Sequence, residues 1–466
     1  MMEAVAPISK RPSCILWSEI EKWTPESVLL RFGKLPEGWR LLPVGAFAAQ
    51  LDNKEKVKPE SEYRMAGVRW YGEGVFHRET VVGKEQSANY LCPLKPGAII
   101  YNRLFAWKES FAVVPEDLNG YYVSNEFPQF EIDQAIALPK YVYLLFNTKK
   151  IIGAVNAASI GSAAISRNRF KESDFLGFKV PIPPLPIQQK IVAHWEAAQL
   201  EQSQLLMKEQ GLIKESQSTT LALLGIKKIE GKPVGKMFCL PWKDSERWSY
   251  EYNKRVLAGL SSVVTGSYPA IPLNSICTGV SGSTPSKKRS EYWADGTLPW
   301  VSPKDMKTRL ITDSIDHISD NAVKERQAPV AAPGSILFVV RSGILQHTVP
   351  VAMTDISVSI NQDIRAFTPN TENILAEYLL AYFEAKQDEL LRLVKWSTTV
   401  QSINKEELES FPIPFPPVSK QKEIISTVRS YHVEIDSLRQ NRNTRILGAE
   451  REIEKMILGT RPVEAH

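Results

Sequence analysis

The sequence predicts an α+β protein made by tandem duplication: a mixed, β-rich domain followed by a long helix, the whole occurring twice, with the two helices pairing. Three observations predict it. Two segments, DFLGFKVPIPPLPIQQKIV (174–192) and ELESFPIPFPPVSKQKEII (407–425), superimpose without a gap at an offset of 233 residues. Each carries a proline-rich stop. After each stop about forty residues run without a proline, with apolar residues recurring near one helical face.

The elements follow in order. Within the repeat Phe178 matches Phe411, Pro181 matches Pro414, Pro183-Pro184 matches Pro416-Pro417, Gln188 matches Gln421 and Ile191 matches Ile424. Upstream, Leu42-Pro-Val44 answers Ile271-Pro-Leu273, and the run Pro96–Tyr101 answers Pro333–Phe338. Short β-rich runs broken by Gly and Pro fill each first part, such as two strands around Gly-Glu-Gly in 67–76 and a strand over 336–340. The prolines at 181–186 and 412–417 exclude helix there. Beyond them, Ile191, Trp195, Ala198, Leu205, Leu212 and Leu223 make one apolar stripe; Ile424, Val428, Tyr431, Ile435, Leu438, Ile446, Ile453 and Ile457 make the other. Gln202, Glu209, Ser216 and Arg442 interrupt these stripes, which predicts a wet, imperfect pairing of helices about 60 Å long at ~1.5 Å per residue. The expected boundaries are an N-terminal extension 1–34, a first domain 35–183, a first helix 184–226, a second domain 235–416 and a second helix 417–459.

Composition bounds the function. The chain has 466 residues, 43% hydrophobic and 23% charged, which suits a globular protein of a few domains. No apolar run approaches the ~18 residues of a membrane span, and Met1–Ile20 has no signal-like apolar stretch, so no membrane contact and a cytoplasmic location are expected. Fifty-seven Lys plus Arg against 52 Asp plus Glu give +5, which permits a nucleic-acid partner. Cys14, Cys92, Cys239 and Cys277 are far apart and form no CxxC pair, so they are expected to be reduced and buried, with no metal site.

The local patterns of catalysis are missing. There is no GxGxxG, no P-loop and no HExxH; the six histidines are isolated, and Gly279–Ser283 misses a GxSxG elbow by one residue. No Asn-Pro-Pro-Tyr or Asp-Pro-Pro-Tyr box is present. Glu384-Ala-Lys386 has a nuclease-like E-x-K spacing, but inside a helical stretch it reads as a solvated helix face. The chain is therefore expected to bind rather than react and to hold no cofactor of its own. The alternatives are a fused or divergent enzyme with its own methyltransferase or nuclease site, and a nonspecific nucleic-acid scaffold.

From Leu35 onward the chain resembles the specificity (S) subunit of type I restriction-modification systems. The resemblance rests on the hinge-to-helix runs PIPPLPIQQKIV and PIPFPPVSKQKEII, the opening Leu35-Pro-Glu-Gly-Trp39, the second-domain segments 279–304, 333–352 and SINQDIRAF (359–367), and the first-domain segments 62–79 and 123–127. The second domain lacks a clean Leu-Pro-Xaa-Gly-Trp, opening with Leu240-Pro-Trp-Lys-Asp instead. The resemblance implies two target-recognition domains spaced by an antiparallel coiled coil and reading the two halves of a bipartite, asymmetric site in double-stranded DNA. It also implies partners: two modification subunits that use S-adenosylmethionine to methylate adenine, and restriction subunits for ATP-dependent translocation and cleavage.

DNA binding calls for Lys and Arg on phosphates and for Arg, Asn, Gln and Ser on base edges. In the first domain the candidates are Arg64, Arg69, Tyr71, His77, Arg78, Lys84, Gln86, Asn102 and Arg103. In the second they are Lys287, Lys288, Arg289, Lys304, Lys307, Arg309, Arg341, Ser342, Gln346, His347 and Gln362. Arg341 leads these because Gly343, two residues on, permits close backbone approach. Trp70, Trp107, Trp293 and Trp300 are expected to pack rather than to stack on bases.

Overall fold

The computed structural model of the chain describes residues 32–159, 169–226, 234–235, 237–241, 253–254, 257, 266–325, 327–397 and 400–463. The N-terminal extension up to residue 31 and the expected opening of the second domain at Trp242 and beyond lie outside the described residues. Two compact units emerge: Met1–Gln204 with Arg442–His466, and Leu205–Asn441. Each combines one β-rich domain with part of both long helices.

The first unit runs through β1 (Arg40–Pro43), β2 (Ala48–Gln50), β3 (Glu55–Lys56), β4 (Glu62–Val68), β5 (Val75–Val82), β6 (Tyr90–Pro93), β7 (Ile99–Tyr101), β8 (Phe111–Val113), β9 (Tyr122–Val123), β10 (Gln129–Ile132) and β11 (Lys179–Ile182). Its sheets have the orders β2-β10-β7-β8 and β3-β6-β9-β4-β5, so β5 is an edge. Helices Pro139–Phe146 and Lys149–Ala158 contribute Tyr141, Leu145, Phe146, Ile151 and Val155 to the main core, where Tyr101, Phe111, Phe130 and Phe175 are fully buried. Ile453, Met456 and Ile457, from the end of the second long helix, belong to this core too.

The second unit contains β12 (Ala270–Pro272), β13 (Cys277–Ser281), β14 (Leu298–Val301), β15 (Leu310–Ile311), β16 (Asp316–Ile318), β17 (Val330–Ala331), β18 (Ile336–Val339), β19 (Val351–Thr354), β20 (Val358–Ile360), β21 (Ile364–Pro369), β22 (Val394–Lys395), β23 (Ser402–Ile403) and β24 (Pro412–Pro414). Its larger sheets have the orders β13-β21-β18-β19-β15 and β16-β14-β20-β17. The helix Ala376–Ala385 packs on them through Tyr378, Leu379, Tyr382 and Phe383, and Leu224 and Ile226, just past the first long helix, complete the core.

The repeated segments close each unit with the same bracket. β1 pairs antiparallel with β11, and β12 with β24, so the first and last strands of each domain lie side by side. Val44 N–H donates to Phe178 O (2.9 Å) and Leu273 N–H to Phe411 O (3.0 Å). Tyr141 donates to Pro181 O (2.8 Å) and Tyr378 to Pro414 O (2.7 Å). The matched glutamines, both fully buried, finish the bracket. Gln188 accepts from Leu138 N–H and donates to Ile136 O and Pro183 O; Gln421 accepts from Leu375 N–H and donates to Asn373 O and Pro416 O, all at 2.8–2.9 Å. Prolines leave the hinge carbonyls without neighbouring N–H partners, and the glutamine amide supplies one.

The long helices span Leu185–Leu223 and Val418–Ile457, 39 and 40 residues. The first begins inside the proline run: Pro186 sits in the first turn, where a helix needs no intrahelical N–H. Within the first unit His194 lies 3.3 Å from Glu452, and Arg445 pairs with Glu201. Within the second, Arg439 Nε donates to Glu209 (2.6 Å) and Tyr431 to Glu215 (3.1 Å). In each unit the two helix segments therefore run in opposite directions. Glu209 and Ser216, which interrupt the apolar stripe, are buried. Of the cysteines among the described residues only Cys277 is buried, against expectation; Cys92 is half-buried and Cys239 exposed.

Candidate nucleic-acid interface

In the first unit five of the nine candidates fall on the β4–β5 hairpin. β4 alternates before sinking its second half into a small core of Ala66, Val68, Ile100, Ala112 and Val123. β5, at the sheet edge, exposes His77, Arg78, Glu79 and Thr80 in succession. The register passes from Met65↔Glu79 to Ala66↔His77, so Arg78 is the extra residue of a β-bulge, a device that bends an edge strand and re-aims a side chain. Arg64 lies over Tyr121 (4.7 Å to the ring centroid) and Arg69 over Phe76 (5.0 Å), which holds both cations on aromatic faces. Tyr71 stands at the tip, 65% exposed. Lys84 is exposed and Gln86 half-buried in and after the 3-10 turn Gly83–Glu85 that follows β5.

Asn102 and Arg103 lie apart from the hairpin and serve the fold. Asn102 is buried and its side chain accepts from Leu104 N–H (3.0 Å). Arg103 is ion-paired with Glu172. Its backbone carbonyl accepts from Phe170 N–H (3.0 Å), tying the returning chain to the end of β7.

The second unit shows the same division. Lys287, Lys288, Lys304 and Lys307 are exposed on loops. Arg289 bridges Glu291 (2.7 Å) and Glu325 (2.9 Å), and a hydrogen bond from Tyr292, joined by Arg289, holds the Glu325 carboxyl below its ordinary range. Arg309 donates twice to Glu384 at 3.1 Å. Gln362 is exposed and accepts from Thr284.

Arg341 follows the fully buried β18 and is exposed, bridged to Ser402. Ser342 caps the 3-10 turn Gly343–Gln346, accepting from Ile344 N–H, while its own N–H donates to Gln401 O (3.1 Å). Gln346 and His347 are exposed at the end of that turn, so Arg341, Gln346 and His347 share one short projection. Beside it, the turn between β22 and β23 presents Lys395 and Trp396, the latter 64% exposed.

The structure corrects the E-x-K reading in its detail. Glu384 is not a solvated helix face: Arg309 chelates it, His432 Nε2 lies 3.4 Å away and Lys386 is buried against Glu389. Burial pushes the Glu384 carboxyl up, but the hydrogen bonds from His432 and Arg309 outweigh it and leave the group below the ordinary carboxylate range. Its partners are thus structural. The tryptophans divide: Trp300 is buried and donates to Ser283 O (3.1 Å), while Trp70 is 40% exposed with Lys108 Nζ 3.7 Å above its ring.

Sequence reasoning passed over Lys108, Lys395 and Trp396. The available signal was a tryptophan in an otherwise polar run, Lys395–Thr399, between two short strands.

Two copies of one bracketed plan, each raising basic loops on a rigid β-rich frame, define a duplicated recognition protein. The model of the type I restriction modification DNA specificity domain matches residues 37–201 and 270–447, one stretch per copy, and the chain belongs to that family. The specificity subunit of the type I restriction enzyme EcoR124I/EcoR124II of Escherichia coli is 35% identical over 174 residues, 37% of this chain and 41% of that one. The MjaIX specificity subunit of Methanocaldococcus jannaschii is 32% identical over 165 residues, 34% of this chain and 36% of that one. The matched stretches thus span about two fifths of these relatives. A chain from a structural study of complex assembly and conformational transition of the type I R-M system shares the fold, with a TM-score of 0.53 over 91% of this chain and 98% of that one, at 18% identity. Among the described residues no helix is long and apolar enough to cross a membrane.

Proposed function

We propose that this chain is the sequence-specific DNA-binding subunit of a type I restriction-modification complex. It reads a bipartite, asymmetric site in double-stranded DNA and positions two adenine-methyltransferase subunits and the restriction subunits on it, in the cytoplasm. The observation that carries this reading is the duplicated bracket, each copy matched by the specificity-domain model. Two similar frames with different loops suit two different half-sites. The long helices act as the spacer between them, paired as an antiparallel coiled coil.

The chain itself performs no chemistry in this reading. S-adenosylmethionine belongs to the modification subunits, which take the target adenine out of the stack. Exposed Lys287, Lys288, Lys304 and Lys307 supply phosphate contacts, whose strength falls as salt rises. Arg341, Gln346 and His347, and the β4–β5 hairpin of the first unit, supply base contacts.

Single-molecule sequencing of genomic methylation in cells with and without the gene tests the proposal. A bipartite methylated motif that vanishes with the gene is expected, and the purified chain alone should transfer no methyl groups. Robust methylation by the single chain would overturn the proposal in favour of a fused or divergent enzyme.

A further inference from the structure

We propose that the tip of the β4–β5 hairpin, at the edge of its sheet, faces the DNA groove, and that Tyr71, held there in a left-handed backbone conformation, contacts base edges with its ring. This rests on the DNA-reading function proposed above and names the element and the residue that perform it in the first unit.

The backbone at the tip is the first observation. Tyr71 has φ +57°, with Gly72 at +68° and Gly74 at +84° beside it. Glycine adopts that region freely, whereas a residue with a β-carbon does so at a cost. The packing gives a tyrosine little reward here: the residue is 65% exposed and, among the described residues, its ring contact is with Trp70, centroids 6.5 Å apart and the planes at 88°. A large aromatic in a strained, solvent-facing position is best explained by a contact outside the chain.

The second observation is that the strain is enforced. Tyr71 N–H donates to Lys108 O (2.8 Å) and Gly72 N–H to Glu109 O (2.9 Å), and Gly72 O accepts from the Tyr143 hydroxyl (2.9 Å). Glu109, opposite, is itself left-handed at φ +58°. These bonds fix the tip before any ligand arrives, as a reading head requires.

The third observation selects the occupant. The ~12 Å major groove of B-DNA presents base edges to a protruding side chain. β5 is an edge strand with Arg78 in its bulge, Arg69 and Lys108 flank the tip, each over an aromatic face, and Arg64 lies over Tyr121 toward the other end of the hairpin. The pair Arg69–Glu73, 3.8 Å apart and more than half exposed on both sides, is weak enough to yield Arg69 to a phosphate. Aromatic rings between cations suit base edges flanked by phosphates.

The test replaces Tyr71 by Gly and by Phe in the full chain co-expressed with its modification subunits. The probes are a duplex carrying the site mapped by methylation sequencing and duplexes each with one base pair of that site changed. Tyr71→Gly should raise the Tm of the chain, because the strain is relieved, yet weaken site binding at least tenfold and relax discrimination at one position of one half-site. Its dependence on salt should not change. Tyr71→Phe should keep affinity within about threefold. Unchanged affinity and discrimination in Tyr71→Gly would overturn the proposal and leave the DNA-reading function standing, and so would a lowered Tm, which would mark the ring as part of the packing. Failure of Tyr71→Gly to assemble with the modification subunits would assign the tip to a protein contact instead. A wild-type complex that prefers no site at all would overturn the function and this proposal together.

Discussion

Gln188 and Gln421 each stand where a helix begins and a proline hinge ends, and each satisfies three backbone groups from a fully buried amide. Replacing either by Leu keeps the volume but strands one N–H and two carbonyls, which is expected to cost about 2–4 kcal/mol. Denaturant unfolding of Gln188→Leu and Gln421→Leu measures this; a loss under about 0.5 kcal/mol would show that water substitutes for the amide. The match of the two glutamines is visible in the sequence, but their partners are not, because Leu138 and Leu375 lie about fifty residues upstream with no local pattern to mark them. Arg341 shows the opposite case: its placement after a buried strand was legible from hydrophobicity and Gly343 alone. Arg341→Ala in the assembled methyltransferase should cost about 1–3 kcal/mol of site affinity and relax one position of one half-site if the fork reads a base. Even weakening across all sequences, with the salt slope shallower by about one, would instead mark a phosphate contact.

At the scale of elements, the helices and the hairpin were legible to different degrees. The long helices, Leu185–Leu223 and Val418–Ile457, come from periodicity and proline stops. The polar positions in their stripes have a physical role that periodicity does not supply: Glu209 is buried because Arg439, on the other helix, neutralises it at 2.6 Å. A buried carboxylate with one fixed partner on the facing helix resists register slip. Inserting one heptad into both helices should lengthen the unread gap of the DNA site while leaving both halves unchanged, as methylation mapping would reveal. Retained activity with an unchanged gap would refute the spacer role. The β4–β5 hairpin was legible as two strands around Gly-Glu-Gly, but its status as an edge was not, since that depends on β4 pairing with the distant β9 through Met65 and Tyr122. For the same reason Arg309 reads in the sequence as a free cation, although Glu384, seventy-five positions on, holds it at 3.1 Å.

At the scale of the whole molecule, duplication was the most legible feature, because copying leaves matched residues at a fixed spacing. The loops were the least legible, since each copy has diverged where it faces solvent. The bracket gives that divergence a mechanism. β1 with β11 and β12 with β24 join the two ends of each domain side by side, and the glutamine fastens them to the helix, so the interior hangs from a clasp that is the same in both copies. Interiors of different sequence hang from the same clasp without disturbing the frame that carries them. In the DNA-reading role proposed above, a changed interior alters what is recognised while the clasp, and with it the mounting on the helices, stays as it is.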